Sequence, residues 1–116
     1  MKIGAVPVDF ESEEQEITLR LYPDDRSVIL RVRLEWREYV NKWFCTLWDA
    51  TTGECLISNF PIIGSQQYVN DLLGQFGYMR IGTLCCAPLT NDMQGKNPTF
   101  ETMKLFELLW GDHLDI

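Results

Sequence analysis

The chain has 116 residues, 46 % of them apolar and 12 % aromatic, and a net charge of −7 at pH 7. Those values describe one globular domain and exclude a disordered chain. The acidic balance argues against nucleic-acid binding, which needs a basic face to neutralise phosphates. The longest uncharged run, Cys55 to Asn70, holds Asn, Pro, Gly, Ser and two Gln and is unfit to span a bilayer.

In chain order, Lys2 to Phe10 reads as a short strand, with Pro7 suited to a sheet edge because it donates no ladder hydrogen bond. A solvated acidic turn follows, and Gln15–Tyr22 alternates Ile17, Leu19 and Leu21 with polar neighbours. Pro23-Asp24-Asp25 turns the chain. The two aspartates lack the further oxygen ligands at loop spacing that a calcium site requires.

The stretch Arg26–Gly53 is the scaffold. Val28, Leu30, Val32, Leu34 and Trp36 fall on one face at period two, and Ile29, Arg31, Arg33, Glu35 and Arg37 on the other. This is a strand with one buried face. A corner at Tyr39–Lys42 leads into a second strand, Trp43 to Ala50, closed by Asp49-Ala50-Thr51-Thr52-Gly53 as an Asx-type turn. Glu54–Phe60 returns as its partner, which with Asp49 opposite Glu54 sets Cys45 opposite Ser58.

Pro61 ends that strand, and residues 61–77 lose the alternation. Tyr68, Val69, Leu72, Leu73 and Phe76 recur at helical spacing, with Ser65 as N-cap and Gly77 as stop. A short helix and an apolar loop over a barrel end are equally good readings. Tyr78–Ala87 reads as a strand in which Gly82 marks a bulge or close packing. Pro88–Phe100 is a turn-rich loop. Thr102–Gly111 closes the domain as a strand with Phe106, Leu108 and Trp110 on one face, and the tail is expected to be peripheral. The fold class is therefore all-β. We expect a single small antiparallel β-barrel or β-sandwich of about seven strands, with at most one short helix, in one domain over residues 1–116 (core 2–112, tail 113–116).

Charge is unevenly distributed. Residues 1–25 carry seven acids and two bases, residues 26–42 five bases and two acids, and residues 43–116 eight acids and three bases. The acidic arm and the basic strand face can pair internally or across subunits. Cys45, Cys55, Cys85 and Cys86 show no metal-ligand spacing, and the only histidine is His113. With no export signal evident, the thiols are expected to be reduced. Nucleophilic catalysis has no base beside a nucleophile, and no glycine-rich phosphate loop is present, so no enzyme, metal or cofactor is expected. Trp36, Trp43, Trp48 and Trp110 suit core or interface packing better than a ligand platform.

The segments LRVRLEW, NKWFCTLWDATTGE, PIIG, DLLGQF, MRIGTL and NPTFETMKLFELLWG follow one another in this order. In order and spacing, over roughly residues 15–112, the chain resembles the small baseplate plug proteins of contractile-tailed, myovirus-type bacteriophages, including cyanophage plugs. The acidic N-terminal arm, the Cys85-Cys86 pair and the residues after Gly111 depart from that pattern. The resemblance implies a structural virion protein, made in the host cytoplasm, that sits at the centre of the hub and spike complex. There it would close the tail lumen before contraction. It implies no catalytic residues. Partners would be the hub and spike proteins, the tail tube or tape-measure protein, and further copies of the chain in a homo-oligomer, without nucleic-acid specificity or membrane insertion. Arg31, Arg33, Arg37 and Trp110 are the candidate subunit or hub contacts. The alternative is a small-ligand-binding β-barrel module that uses Trp36, Trp43 or Trp48 as a platform.

Overall fold

A computed structural model describes residues 3–22, 26–64, 71–111 and 114–115. They form an all-β, antiparallel architecture of two sheets. The smaller has the order β1-β7-β6, with β1 at Ile3–Ala5, β7 at Phe106–Gly111 and β6 at Thr83–Pro88. The larger has the order β5-β4-β3-β2-β8: β5 is Cys55–Pro61, β4 Lys42–Asp49, β3 Val28–Arg37, β2 Glu14–Leu21 and β8 Leu114–Asp115. Helical structure among the described residues is confined to short 3-10 turns.

The period-two pattern explains the larger sheet. On β3, Leu30, Val32, Leu34 and Trp36 are buried, while between them Arg31 is exposed and Arg33 and Glu35 are partly buried. Trp43, Cys45 and Leu47 of β4 and Leu19 and Leu21 of β2 complete the inner face. From the small sheet come Leu84, Cys86, Phe106, Leu108 and Trp110, so both sheets cover one apolar cluster. The isolated parallel bridge Gly64–Cys86 joins the sheets along one side. On the other, β8 begins three residues after β7 ends and pairs with β2 in the opposite sheet. The arrangement lies between a sandwich and a closed barrel.

The hairpin joining β3 and β4 turns through a 3-10 turn at Glu38–Val40, with Asn41 in the left-handed region at φ 55°. The next turn is of the expected Asx type: Asp49 Oδ1 accepts from the Thr51 N–H at 2.8 Å, and Gly53 takes φ 78°. Beyond it the register departs from expectation. Trp48 faces Cys55 and Leu47 faces Ile57, but Cys45 faces Phe60 rather than Ser58. Two register shifts intervene, and Asn59, at φ 52°, donates its N–H to Thr46 Oγ1 instead of the ladder.

Three further expectations are corrected. Tyr78–Ala87 is not a strand throughout: a kinked 3-10 stretch occupies Gly74–Met79, Arg80 has φ 55°, and β6 starts only at Thr83. Gly77 lies within that stretch, one residue after the kink at Phe76. Of the last expected strand, Met103–Leu105 is a 3-10 turn. The tail is not peripheral at Leu114 and Asp115, which pair with Leu21 and Arg20. Gly82 is a close-packing site: a Cβ there would stand 2.9 Å from the Trp110 indole nitrogen. Ser65, Tyr68, Val69, His113 and the turn Pro23-Asp24-Asp25 lie outside the described residues.

Candidate interaction surface

The outer face of the larger sheet carries the arginine row, and cross-strand register fixes what each arginine meets. Arg31 lies opposite Trp48 on β4 and Thr18 on β2, Arg33 opposite Thr46 and Glu16, and Arg37 opposite Lys42. Side chains facing each other, or one step diagonally apart, are within reach of long and aromatic groups. The Arg31 guanidinium accordingly lies over the Trp48 ring, 4.5 Å from its centroid, and that of Arg37 lies over Phe44 at 4.4 Å.

Arg33 is ion-paired with Glu14 of the acidic arm and stands 3.8 Å from Glu35. Arg37 donates from Nε to Glu35 at 3.3 Å and from Nη2 to the Asn59 side chain. The acidic arm and the basic face therefore pair within one chain. The row is also less uniform than its sequence suggests. Arg33 and Arg37 hold their own sheet together, whereas Arg31 is exposed and has its guanidinium over the Trp48 ring.

Trp110 does not belong to this surface. It is fully buried and donates its indole N–H to the Ile81 carbonyl at 2.6 Å, so it is a core residue. Trp43 is likewise buried, and Trp36 is 8 % exposed. With Phe100 these two make an aromatic cluster with centroid separations of 5.7–6.3 Å. Trp48 lies on the opposite side of the sheet beneath Arg31, so the tryptophans form no common platform.

Sequence reasoning missed the outward aromatics Phe44 and Trp48 as partners of the arginines. The signal was available in the alternate positions of β4, once the hairpin register is known. It also missed the exposed apolar side chains in loops and turns: Tyr39 at 83 %, Tyr78 at 76 % and Leu89 at 57 % exposure.

The thiols offer little chemistry. All four are free, and Cys55 alone is exposed. Burial pushes the Cys86 thiol up to about 12, with Cys85 adding to the effect. Burial also raises Cys45 strongly, and burial followed by the Asp71 carboxylate raises Cys85. These three remain protonated at neutral pH and are poor nucleophiles. Among the described residues no group of His, Cys, Asp and Glu is arranged to hold a metal ion, and no helix is long and apolar enough to cross a membrane. No protein-family model matches the chain, and no curated protein matches it in sequence.

Proposed function

We propose that this chain is a structural component of a phage tail baseplate: a plug at the centre of the hub and spike complex, acting by protein–protein contacts to close the tail lumen before contraction. The observation that carries the reading is the succession of strand and turn segments resembling the plug proteins. In the fold these segments are the β3–β4 hairpin with its Asx turn, the exit from β5 through Gly64, the approach to β6, and β7 with the loop before it.

The surface is compatible with such a role. Tyr39 and Tyr78 stand outside the core and are the kind of side chain that anchors partner contacts. Arg31 and its flanking polar positions suit contacts that form specifically and separate again when the tail contracts. Partners would include the hub and spike proteins and further copies of the chain, and the protein would reside in the virion.

Co-expression with the hub and spike proteins of the same genome tests this reading. The expected result is co-purification of the chain with that complex, together with its peptides in the mass spectrum of purified tails. A chain that stays separate from the complex and is absent from the tails is not a plug.

A further inference from the structure

At the end of the larger sheet where β3 turns into β4, a cavity of about 290 Å³ is lined by Trp36, Glu38, Asn41, Thr99, Phe100 and Glu101. Phe100 and the 8 % of Trp36 left exposed form its apolar part, the rest of its lining is polar, and Glu38 and Glu101 make its rim anionic. Trp36 and Phe100 present rings 6.3 Å apart at 41°, backed by the buried Trp43. The Trp36 indole N–H donates to Glu38 Oε2 at 2.8 Å, which fixes one carboxylate beside the ring. Glu101 supplies a second carboxylate on the exposed side. Among the described residues, neither is ion-paired with a base.

The far wall is held as firmly. The Trp43 indole N–H donates to the Thr99 carbonyl at 3.1 Å, and Thr99 and Thr102 cap each other's backbone N–H groups at 2.8 and 3.2 Å. The cavity is pre-formed, and it far exceeds the roughly 30 Å³ that one water occupies in the liquid.

Aromatic faces attract cations, and two carboxylates at the mouth add Coulombic attraction in the same direction. An anion meets repulsion there, and a neutral apolar group would desolvate the carboxylates without replacing their hydrogen bonds. A bare divalent ion fits poorly, because it requires six or more oxygen ligands. The matching group is a guanidinium or an alkylammonium. Its source follows from the neighbouring residues: Tyr39 and Val40, between the lining residues Glu38 and Asn41, are 83 % and 41 % exposed. They offer apolar surface that a free amine would not use and a polypeptide would cover.

We propose that this cavity is a docking pocket for an arginine or lysine side chain presented by a partner protein. The inference rests on the cavity alone and stands whether or not the chain is a baseplate component.

The test is titration of the ¹⁵N-labelled full chain with Ac-Leu-Arg-Leu-NH2 and Ac-Leu-Lys-Leu-NH2, following the Trp36 indole resonance, which Trp36→Phe identifies. The expected result is a saturable shift with a cationic peptide and none with Ac-Leu-Glu-Leu-NH2. In the Glu38→Gln/Glu101→Gln double variant the affinity should fall about fivefold, the order expected for losing an exposed charge contribution. Glutamine keeps an acceptor for the indole, and Glu101→Gln alone leaves the indole contact untouched should the double variant fail to fold. Three outcomes overturn the proposal: no shift with either cationic peptide, an equal shift with the glutamate peptide, or unchanged affinity in the glutamine variants. Methylguanidinium binding as tightly as the arginine peptide would make the site a small-cation site and overturn the docking assignment.

Discussion

The β3–β4 hairpin and the segment from Asp71 to Gly82 lie in one domain and are built on opposite principles. The hairpin is local. Its buried positions alternate strictly, its eight register pairs run without a shift from Leu30–Asp49 to Arg37–Lys42, and its turn is closed by its own backbone. The 71–82 segment takes its shape from distant residues. Asp71 Oδ1 accepts from the Leu73 and Leu84 N–H groups at 2.9 and 3.2 Å, and Arg26 donates to the Arg80 carbonyl at 2.9 Å. Trp110 closes down on Ile81 and Gly82. An element of the first kind is specified by its own sequence. One of the second kind is specified by the surface it packs on.

The contrast is broken most severely at Gly82. Its φ of 94° disfavours any side chain, and an added Cβ would meet the Trp110 indole at 2.9 Å and the Gly111 carbonyl at 3.3 Å. Gly82→Ala should therefore cost about 2–4 kcal/mol, combining backbone strain with overpacking. The measurement is the urea midpoint at unchanged slope. Gly53 is the matched control: it too has positive φ, at 78°, but nothing stands within 4 Å of the added carbon. Gly53→Ala should show the strain alone, about 1–2 kcal/mol. Equal losses at the two sites would mean that the approach of Trp110 contributes nothing.

Asp71 gives the intermediate effect. Its carboxylate organises the start of the irregular segment and ties it to the first residues of β6. Asp71→Ala leaves two partly buried N–H donors without that acceptor, and about 1–3 kcal/mol should be lost. Hydrogen exchange should sharpen the point. The Leu73 and Leu84 amides should exchange faster, while the Val32 and Leu34 amides of the hairpin keep their protection relative to global unfolding. Uniform acceleration everywhere would show the segment and the hairpin to be one cooperative unit.

The same division decides how much could be read from the residues. Fold class, the buried face of β3, the Asx turn at Asp49 and the inward set Phe106, Leu108 and Trp110 each follow from a period or a turn residue. The β4–β5 register did not follow, because the bulge at Asn59 depends on the Thr46 hydroxyl across the sheet. Tyr78–Gly82 imitated a strand because Met79 and Ile81 alternate with polar neighbours. The left-handed Arg80 and the Trp110 contact, which decide otherwise, are tertiary facts. Of the candidate contacts, the arginine row was legible as an outward face that also carries Glu35, but the ion pair of Arg33 with Glu14 was not. That pair required the diagonal register between β2 and β3. Trp110 illustrates the converse: its alternation with Phe106 and Leu108 already marked it as inward-facing.

The smallest effect on folding is expected on the hairpin's outer face, where a change in stability and a change in partner binding can be separated. Reversing Arg33 would set a new carboxylate among Glu14, Glu16 and Glu35, so any loss of assembly would be confounded with damage to the sheet. Arg31 avoids this. Its cross-strand neighbours are Thr18 and Trp48, and its ring contact is worth about 0.5–1 kcal/mol at an exposed site. Arg31→Ala should thus lower stability by no more than about 1 kcal/mol while exposing more of Trp48, visible as a red-shifted tryptophan emission. If Arg31 contacts the hub or a neighbouring copy, Arg31→Glu should reduce co-purification with the hub and spike proteins far beyond what so small a stability loss explains, and added salt should weaken the wild-type complex in the same direction. Unchanged recovery of the Arg31→Glu chain would leave Arg31 as a cover for Trp48, and partner contacts would then have to lie at the exposed loop side chains instead.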